Sequence, residues 1–133
     1  MKVAGIDFGR KRVGIAVADE GWVVPVDVLE GLSEAALLDR LGKRLAELAV
    51  EHVVVGWPLN MDGSAGFQAH AAERFAEKLR LNTGLTVELH DERLTSFEAR
   101  LRRPSRTRRG KRPKLDAIAA CVMLEGWLQT QTK

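Results

Sequence analysis

Three acidic residues far apart in the sequence carry the clearest chemical signal in this chain. Asp7 ends one apolar segment, Glu92 follows another, and Asp116 begins a third. Each alone has an ordinary role, as a turn acceptor, a strand-end cap or a favourable charge near a helix N-terminus. Together, carboxylates converging within ~4 Å would repel one another by roughly 1 to 4 kcal/mol per pair at surface-like dielectric. A divalent cation would convert that repulsion into coordination.

The available ligand types indicate which metal such a cluster would hold. Carboxylate oxygens without cysteine or histidine suit Mg²⁺ or Mn²⁺ rather than zinc. The three histidines, His52, His70 and His90, are scattered, and no C-x-x-C or H-x-x-x-H spacing occurs. A pair of such ions is a common arrangement for in-line displacement at phosphate. The acidic residues therefore predict phosphoryl chemistry with two Mg²⁺ or Mn²⁺ ions.

Asp91 stands next to Glu92 and is an alternative metal ligand. Strand alternation places Asp91 on the same face as Val87 and Leu89, which favours Glu92 as the ligand. Arg93 follows directly, and it would either neutralise the acidic cluster or contact the scissile phosphate.

The net charge of +3 hides a concentrated basic segment. Residues 102–114 contain eight basic and no acidic side chains, which leaves 13 basic against 18 acidic residues elsewhere. Such a run is usually a solvated loop, but its place between two predicted helices and close to the acids favours a loop that faces a polyanion. The eight basic residues are Arg102, Arg103, Arg106, Arg108, Arg109, Lys111, Arg112 and Lys114.

The remaining pattern predicts the elements that must position these residues. Three strands joined by tight turns come first, then helices alternate with strands. Strands are predicted at 2–8, 12–19, 22–29, 52–57 and 85–90, and helices at 33–52, 66–84 and 115–129. A capping box at 95–98 predicts a further short helix that ends before Pro104. Three antiparallel strands followed by parallel strands give an α/β fold, a mixed five-stranded sheet with helices on both faces.

Individual residues predict further details of local structure and of the core. Pro25 predicts an edge strand or a bulge, and Ser33 a helix N-cap. The helix at 66–84 is expected to bury one stripe formed by Phe67, Ala71, Phe75 and Leu79. Cys121, Met123 and Trp127 are expected to pack in the core.

Length and composition set the outer bounds. A chain of 133 residues predicts a single domain over 1–133. No apolar run approaches the ~20 residues of a membrane span, and no leader segment is apparent, so no membrane association is expected. A lone cysteine, Cys121, fits a reducing compartment, and we expect a cytoplasmic protein.

Four ordered blocks resemble the YqgF/RuvX family of the ribonuclease H-like superfamily, over nearly the whole chain. They read "GIDFGRKRVGIAVAD", "GWPLNMDGSAG", "DERLTS" and "LDAIAACVML". The resemblance implies a ribonuclease H-like fold, metal-dependent hydrolysis of nucleic-acid phosphodiesters, and an acidic triad at Asp7, Glu92 and Asp116. Trp57 departs from the family, which usually has Leu there, and the basic segment is unusually rich in Arg.

Two of these blocks suggest further contacts with substrate. Arg10, Lys11 and Arg12 would place positive charge beside Asp7, or else form a solvated hairpin tip. Asn60 and Ser64 lead into a helix N-terminus whose N–H groups suit phosphate, although a turn with an N-cap explains them equally well.

The resemblance favours processing of the 5′ end of pre-16S ribosomal RNA, with nucleic acid, RNA in preference, and ribosomal precursor particles as partners. Two alternatives remain. One is a Holliday junction resolvase acting on branched DNA, which would require a dimer. The other is a ribosome-associated RNA-binding factor of the same fold that has lost catalysis.

Overall fold

The structure is a computed structural model, and it describes residues 1–9, 11–94 and 115–131, apart from the side chains of Leu94, Leu115 and Asp116. The strands are β1 (Lys2–Phe8), β2 (Arg12–Asp19), β3 (Trp22–Glu30), β4 (His52–Trp57) and β5 (Thr86–Asp91). The helices are α1 (Glu34–Glu47), α2 (Phe67–Thr83) and α3 (Leu115–Gln131), with a 3-10 turn at Glu92–Leu94. The short helix predicted to begin with the capping box at 95–98 and to end before Pro104 lies outside the described residues.

The five strands form one mixed sheet in the order β3-β2-β1-β4-β5. β1 pairs antiparallel with β2, and β2 with β3, whereas β1–β4 and β4–β5 are parallel. Continuous apolar runs in β1, β2 and β4 suit strands that are covered on both faces. Pro25 lies in edge strand β3, where the register shifts opposite Ile15 and Ala16. The predicted α/β class, strand directions and edge position are confirmed.

Helices cover both faces of the sheet, as predicted. On one face, α1 and α2 pack over Ile6, Ile15 and Val55. On the other face, α3 packs over Val3 and Val54. Cys121, Met123 and Trp127 of α3 are buried as expected, and burial raises the pKa of the Cys121 thiol to about 12. No described helix is long and apolar enough to cross a membrane.

Two predictions about the helices were wrong in detail. Ser33 caps α1 by accepting a hydrogen bond from the Ala36 amide, but the helix ends at Glu47 rather than at residue 52. It cannot continue because Ala49 has a positive φ of 58°, outside the helical region.

Phe67 was expected in the buried stripe of α2, yet it is 74% exposed. As the first residue of α2, it is not covered by the packing that buries Phe75 and Leu79.

Candidate active site

Asp7 lies near the carboxyl end of β1, on the face of the sheet that α3 covers. Alternation along β1 places it with Val3 and Gly5, and Val3 packs in the cluster formed by α3. Asp7 pairs with Gly14 of β2, which has no side chain. The carboxylate is half-buried, and it takes part in further polar or electrostatic interactions.

Gly5 allows α3 to cross β1 at very short range. A Cβ atom on Gly5 would lie 2.9 Å from the Cβ of Leu124 and 3.3 Å from the carbonyl oxygen of Ala120. Trp127, nearer the end of α3, contacts the ring of His52 at the start of β4, with ring centroids 5.4 Å apart. The helix therefore runs opposite to β1, and its first turn, which contains Asp116, lies toward the end of the sheet where Asp7 stands.

Glu92 lies over Gly56 on this same face. A Cβ atom on Gly56 would be 2.9 Å from Oε2 of Glu92, so the carboxylate occupies the space that a larger residue would fill. Gly56 alternates with Val54, which faces α3. Because Ile6 pairs with Val55, Asp7 and Gly56 are the next residues along two adjacent strands, which lie about 4.8 Å apart. Asp7 and Glu92 therefore stand over neighbouring strands on one face.

Asp91 points to the opposite face and has a different role. Its carboxylate accepts hydrogen bonds from Nε of Arg93 at 3.1 Å and from Nη2 at 2.8 Å, and from the Arg93 amide at 2.9 Å. The hydrogen bonds from the Arg93 side chain lower the pKa of the Asp91 carboxyl, and they raise the pKa of Arg93. Asp91 is thus held in a closed ion pair, away from the α3-facing side.

Arg93 also connects β5 to the β4–α2 loop (residues 58–66). Its Nη1 donates a hydrogen bond of 3.1 Å to the carbonyl oxygen of Met61. The guanidinium group lies near Gly63, where φ is +90°. Arg93 therefore holds this loop against the strand end from which Glu92 projects. Its predicted contact with substrate phosphate stays a prediction.

Asn60 and Ser64, both predicted to bind substrate, bond to each other. The side-chain Nδ2 of Asn60 donates to Oγ of Ser64 at 2.9 Å, and the backbone N–H of Asn60 donates to the backbone carbonyl oxygen of Ser64 at 2.9 Å. The Ser64 amide and hydroxyl both donate to Asp62, which lowers the pKa of the Asp62 carboxyl. Helix α2 begins after Gly66, which provides no side-chain cap. The loop is therefore shaped by its own polar side chains.

The β1–β2 hairpin carries Lys11 and Arg12, the remaining described basic residues that were predicted to bind substrate. The Gly9 amide donates to the Arg12 carbonyl oxygen at 3.0 Å, and a Cβ atom on Gly9 would lie 2.8 Å from that oxygen. Lys11 is exposed, while Arg12 forms an ion pair with Glu30 of β3, Nε to Oε2, at 3.0 Å. Arg10 and the eight basic residues of 102–114 lie outside the described part of the chain.

The described residues supply part of the predicted metal site. Asp7 and Glu92 supply two carboxylates on one face, where Gly5 lets α3 pack close to β1 and Gly56 leaves room for Glu92. Within residues 1–9, 11–94 and 117–131, where side chains other than Leu94 are described, no group of three or more His, Cys, Asp or Glu could hold a metal ion. The predicted third ligand, Asp116, has its side chain outside that set, so the complete triad stays a prediction.

Three features of this region were not predicted from the sequence. The first is the contact of Glu92 with Gly56, although a glycine within a strand is a known sign of close approach. The second is the hydrogen bond from the Trp57 indole to Glu73, 2.9 Å long, which joins β4 to α2. The third is His90, buried beside Gly56, whose Nε2 has no partner among the described residues and whose pKa is lowered by burial.

The chain has a RuvC-like (ribonuclease H-like) fold, as comparison with solved structures shows. The chain resembles Thermus thermophilus RuvC with a TM-score of 0.62 and 17% identity, covering 99% of this chain and 98% of the other. T. thermophilus RuvC in complex with a Holliday junction substrate also matches with a TM-score of 0.62, at 14% identity, covering 98% and 96%. At these identities the likeness establishes the fold alone.

The sequence comparisons establish the family. A family model described as RuvX, Holliday junction resolvase, matches residues 1–130. Proteins named "Putative pre-16S rRNA nuclease" are 46% identical in Anaeromyxobacter sp. (strain Fw109-5), covering 96% of both chains, and 38% identical in Geobacillus thermodenitrificans, covering 98% and 99%. The chain belongs to the RuvX (YqgF) family, which confirms the resemblance noted from its four sequence blocks.

Proposed function

We propose that this protein is a metal-dependent nuclease that processes the 5′ end of pre-16S ribosomal RNA. The observation that carries the proposal is the placement of Asp7 and Glu92 over adjacent strands on the α3-facing side. The names of the full-length relatives support ribosomal RNA as the substrate. Maturation of a ribosomal precursor would take place in the cytoplasm.

Asp7, Glu92 and Asp116 would hold two Mg²⁺ or Mn²⁺ ions in this proposal. When bound, such ions activate water and stabilise the leaving 3′-oxygen in phosphodiester hydrolysis. Glycines at 5 and 56 hold α3 and the Glu92 carboxylate close to the sheet, and so keep the acidic side chains in a fixed relation. The Asp91–Arg93 pair fixes the strand end next to them.

Basic side chains would hold the nucleic-acid strand. Lys11 is exposed on the hairpin that borders Asp7, and Arg10 and Arg12 belong to the same hairpin. The eight basic residues of 102–114 precede Asp116 directly in sequence. Arg and Lys contact phosphates more than they distinguish bases, so this binding would position the strand without selecting its sequence.

A second candidate function is resolution of branched DNA, which the description of the family model favours. A symmetric four-way junction would require two copies of the site, one for each cut, whereas trimming one RNA strand would require a single copy. An inactive, ribosome-associated factor is the alternative without catalysis.

One assay separates these possibilities. Purified protein is incubated with an end-labelled precursor of 16S ribosomal RNA and, in parallel, with a labelled four-way DNA junction. Each mixture contains Mg²⁺, Mn²⁺ or EDTA. We expect cleavage of the RNA with metal and none with EDTA. Preferred cutting of the junction would support the resolvase, and binding without metal-dependent products would contradict both nuclease functions.

A further inference from the structure

Trp57, the last residue of β4, attaches the end of that strand to helix α2. Its indole N–H donates to Oε2 of Glu73 at 2.9 Å, and both side chains are half-buried, so water competes only in part for this hydrogen bond. The other carboxylate oxygen of Glu73 lies 3.2 Å from Nδ1 of His70. A hydrogen bond to a carboxylate is stronger than one between neutral groups, so this contact is well suited to hold a strand end.

Helix α2 is a firm support for this hydrogen bond. Ala69 and Ala72, which precede Glu73 on the helix, have no exposed surface, so this part of α2 is packed closely in the core. The chain turns away from the sheet directly after Trp57, whose carbonyl oxygen accepts a hydrogen bond from the Leu59 amide at 2.9 Å. The indole therefore joins the point where the strand ends to a helix that is held in place.

The end of β4 is also where the position of Glu92 is set. Trp57 pairs with Asp91, the neighbour of Glu92 in sequence. It follows Gly56 directly, and a Cβ atom on Gly56 would lie 2.9 Å from Oε2 and 3.1 Å from Cδ of Glu92. Chain segments open more easily at their ends than at their centres. The surface that the Glu92 carboxylate contacts therefore depends on how the end of β4 is held.

We propose that Trp57, held by Glu73, is a positioning residue for the Glu92 carboxylate. This inference rests on the proposed nuclease function and adds to it a support on the opposite, α2-facing side of the sheet. Trp57 acts through Gly56, which Glu92 contacts, and not by touching metal or substrate. A hydrogen bond that only attached β4 to α2 would affect the stability of the fold and leave the metal-binding carboxylate unchanged.

Four variants of the full-length protein test this role. Trp57→Phe removes the N–H donor and keeps an aromatic ring. Glu73→Ala removes the acceptor, whereas Glu73→Gln keeps a side-chain oxygen that can accept the same hydrogen bond. The control, Trp22→Phe, makes the same substitution at a 77% exposed residue of edge strand β3.

The measurements separate the carboxylate from the fold. The affinity for Mn²⁺ is measured from the electron paramagnetic resonance signal of the free ion, and kcat and KM are measured from cleavage of labelled precursor RNA. Thermal unfolding shows the temperature range in which each variant is folded. Amide hydrogen exchange in EDTA reports how firmly the end of β4 is held when no metal is present.

We expect Trp57→Phe and Glu73→Ala each to lower Mn²⁺ affinity and kcat roughly 10-fold, as loss of a support for a metal ligand does. KM should stay within about twofold of the wild type, because the RNA contacts are untouched. The double variant should lose no more than either single variant, because both remove the same hydrogen bond. Glu73→Gln and Trp22→Phe should behave like the wild type. Amide exchange at the end of β4 should become faster in Trp57→Phe and Glu73→Ala.

Three results would overturn the inference: Mn²⁺ affinity and kcat of Trp57→Phe equal to those of Trp22→Phe, losses that add in the double variant, or a Glu73→Gln variant as impaired as Glu73→Ala. Failure of the nuclease function would be visible in the wild type itself, as absent Mn²⁺ binding and absent cleavage, and would overturn both proposals. Variants that match a wild type with metal-dependent cleavage remove only the positioning role.

Discussion

Two consecutive acidic residues at the end of β5 have opposite environments. Glu92 lies on the α3-facing side, over Gly56 and next to the strand that carries Asp7. Asp91 lies on the α2-facing side, where Arg93 binds it with two side-chain nitrogens. The Glu92 carboxylate fills the room that Gly56 leaves, and the Asp91 carboxylate is closed in an ion pair. We therefore expect Glu92 to serve the reaction and Asp91 to serve the structure.

The largest expected effect comes from removing a carboxylate on the α3-facing side. Asp7→Asn keeps the size of the side chain but removes the negative charge, so metal-dependent cleavage of labelled RNA should fall by about 10²- to 10⁴-fold while RNA binding is retained. Glu92→Gln should behave in the same way. Asp91→Asn is the matched control, and an equal loss of cleavage in that variant would break the comparison.

The basic segment at 102–114 should make binding strongly dependent on salt. If about five of its eight basic residues contact single-stranded phosphates, affinity should fall roughly 100-fold between 50 and 200 mM salt. Anisotropy titrations across this range measure the slope. A flat response would remove the segment from the binding surface and leave the α3-facing acids without their expected cationic neighbour.

Gly56→Ala would shift the Glu92 carboxylate without removing any charge. The new Cβ atom would displace the Glu92 carboxylate, and a displacement near 1 Å should lower the cleavage rate by roughly 10- to 100-fold. Gly42→Ala, within α1, is the control. Its Cβ atom would meet Asn82 at 3.5 Å, an ordinary contact, so it should raise stability by up to about 1 kcal/mol and leave cleavage unchanged. Unimpaired cleavage by Gly56→Ala would mean that the position of Glu92 is unimportant.

The smallest effect is expected on the α2-facing side. Asp91→Asn removes the charge that Arg93 binds, and thereby loosens the attachment of Arg93 to the β4–α2 loop. The melting temperature should decrease by a few degrees, with cleavage close to that of the wild type. Thermal unfolding followed by circular dichroism measures the change. An unchanged melting temperature together with lost cleavage would reverse the roles assigned to Asp91 and Glu92.

Much of the fold could be predicted from the sequence because its patterns are local. Alternation and apolar runs predicted all five strands, and the alternation of helices with strands predicted the parallel pairs. The end of α1 was missed because the left-handed conformation of Ala49 has no signal in residue type. Phe67 was misplaced because helical spacing shows which residues share a stripe, but not whether the first turn is covered by its neighbours.

The candidate site could be predicted only in part. Alternation correctly predicted the face on which Asp91 lies, whereas the roles of Asp7, Glu92 and Asp116 as metal ligands stay predictions. The contacts of Arg93 with Met61 and of Glu92 with Gly56 depend on how a loop and a strand end meet in space. No periodic pattern in the sequence predicts these two contacts.

The central claim is that acids on the α3-facing side together bind divalent cations. A crystal of the protein grown with Mn²⁺, measured for anomalous scattering, tests it most directly. We expect anomalous peaks within coordination distance of carboxylate oxygens of Asp7, Glu92 and Asp116, roughly 2.0 to 2.3 Å. Crystals with no peak at these residues in millimolar Mn²⁺, or with the ion bound at Asp91 instead, would contradict it.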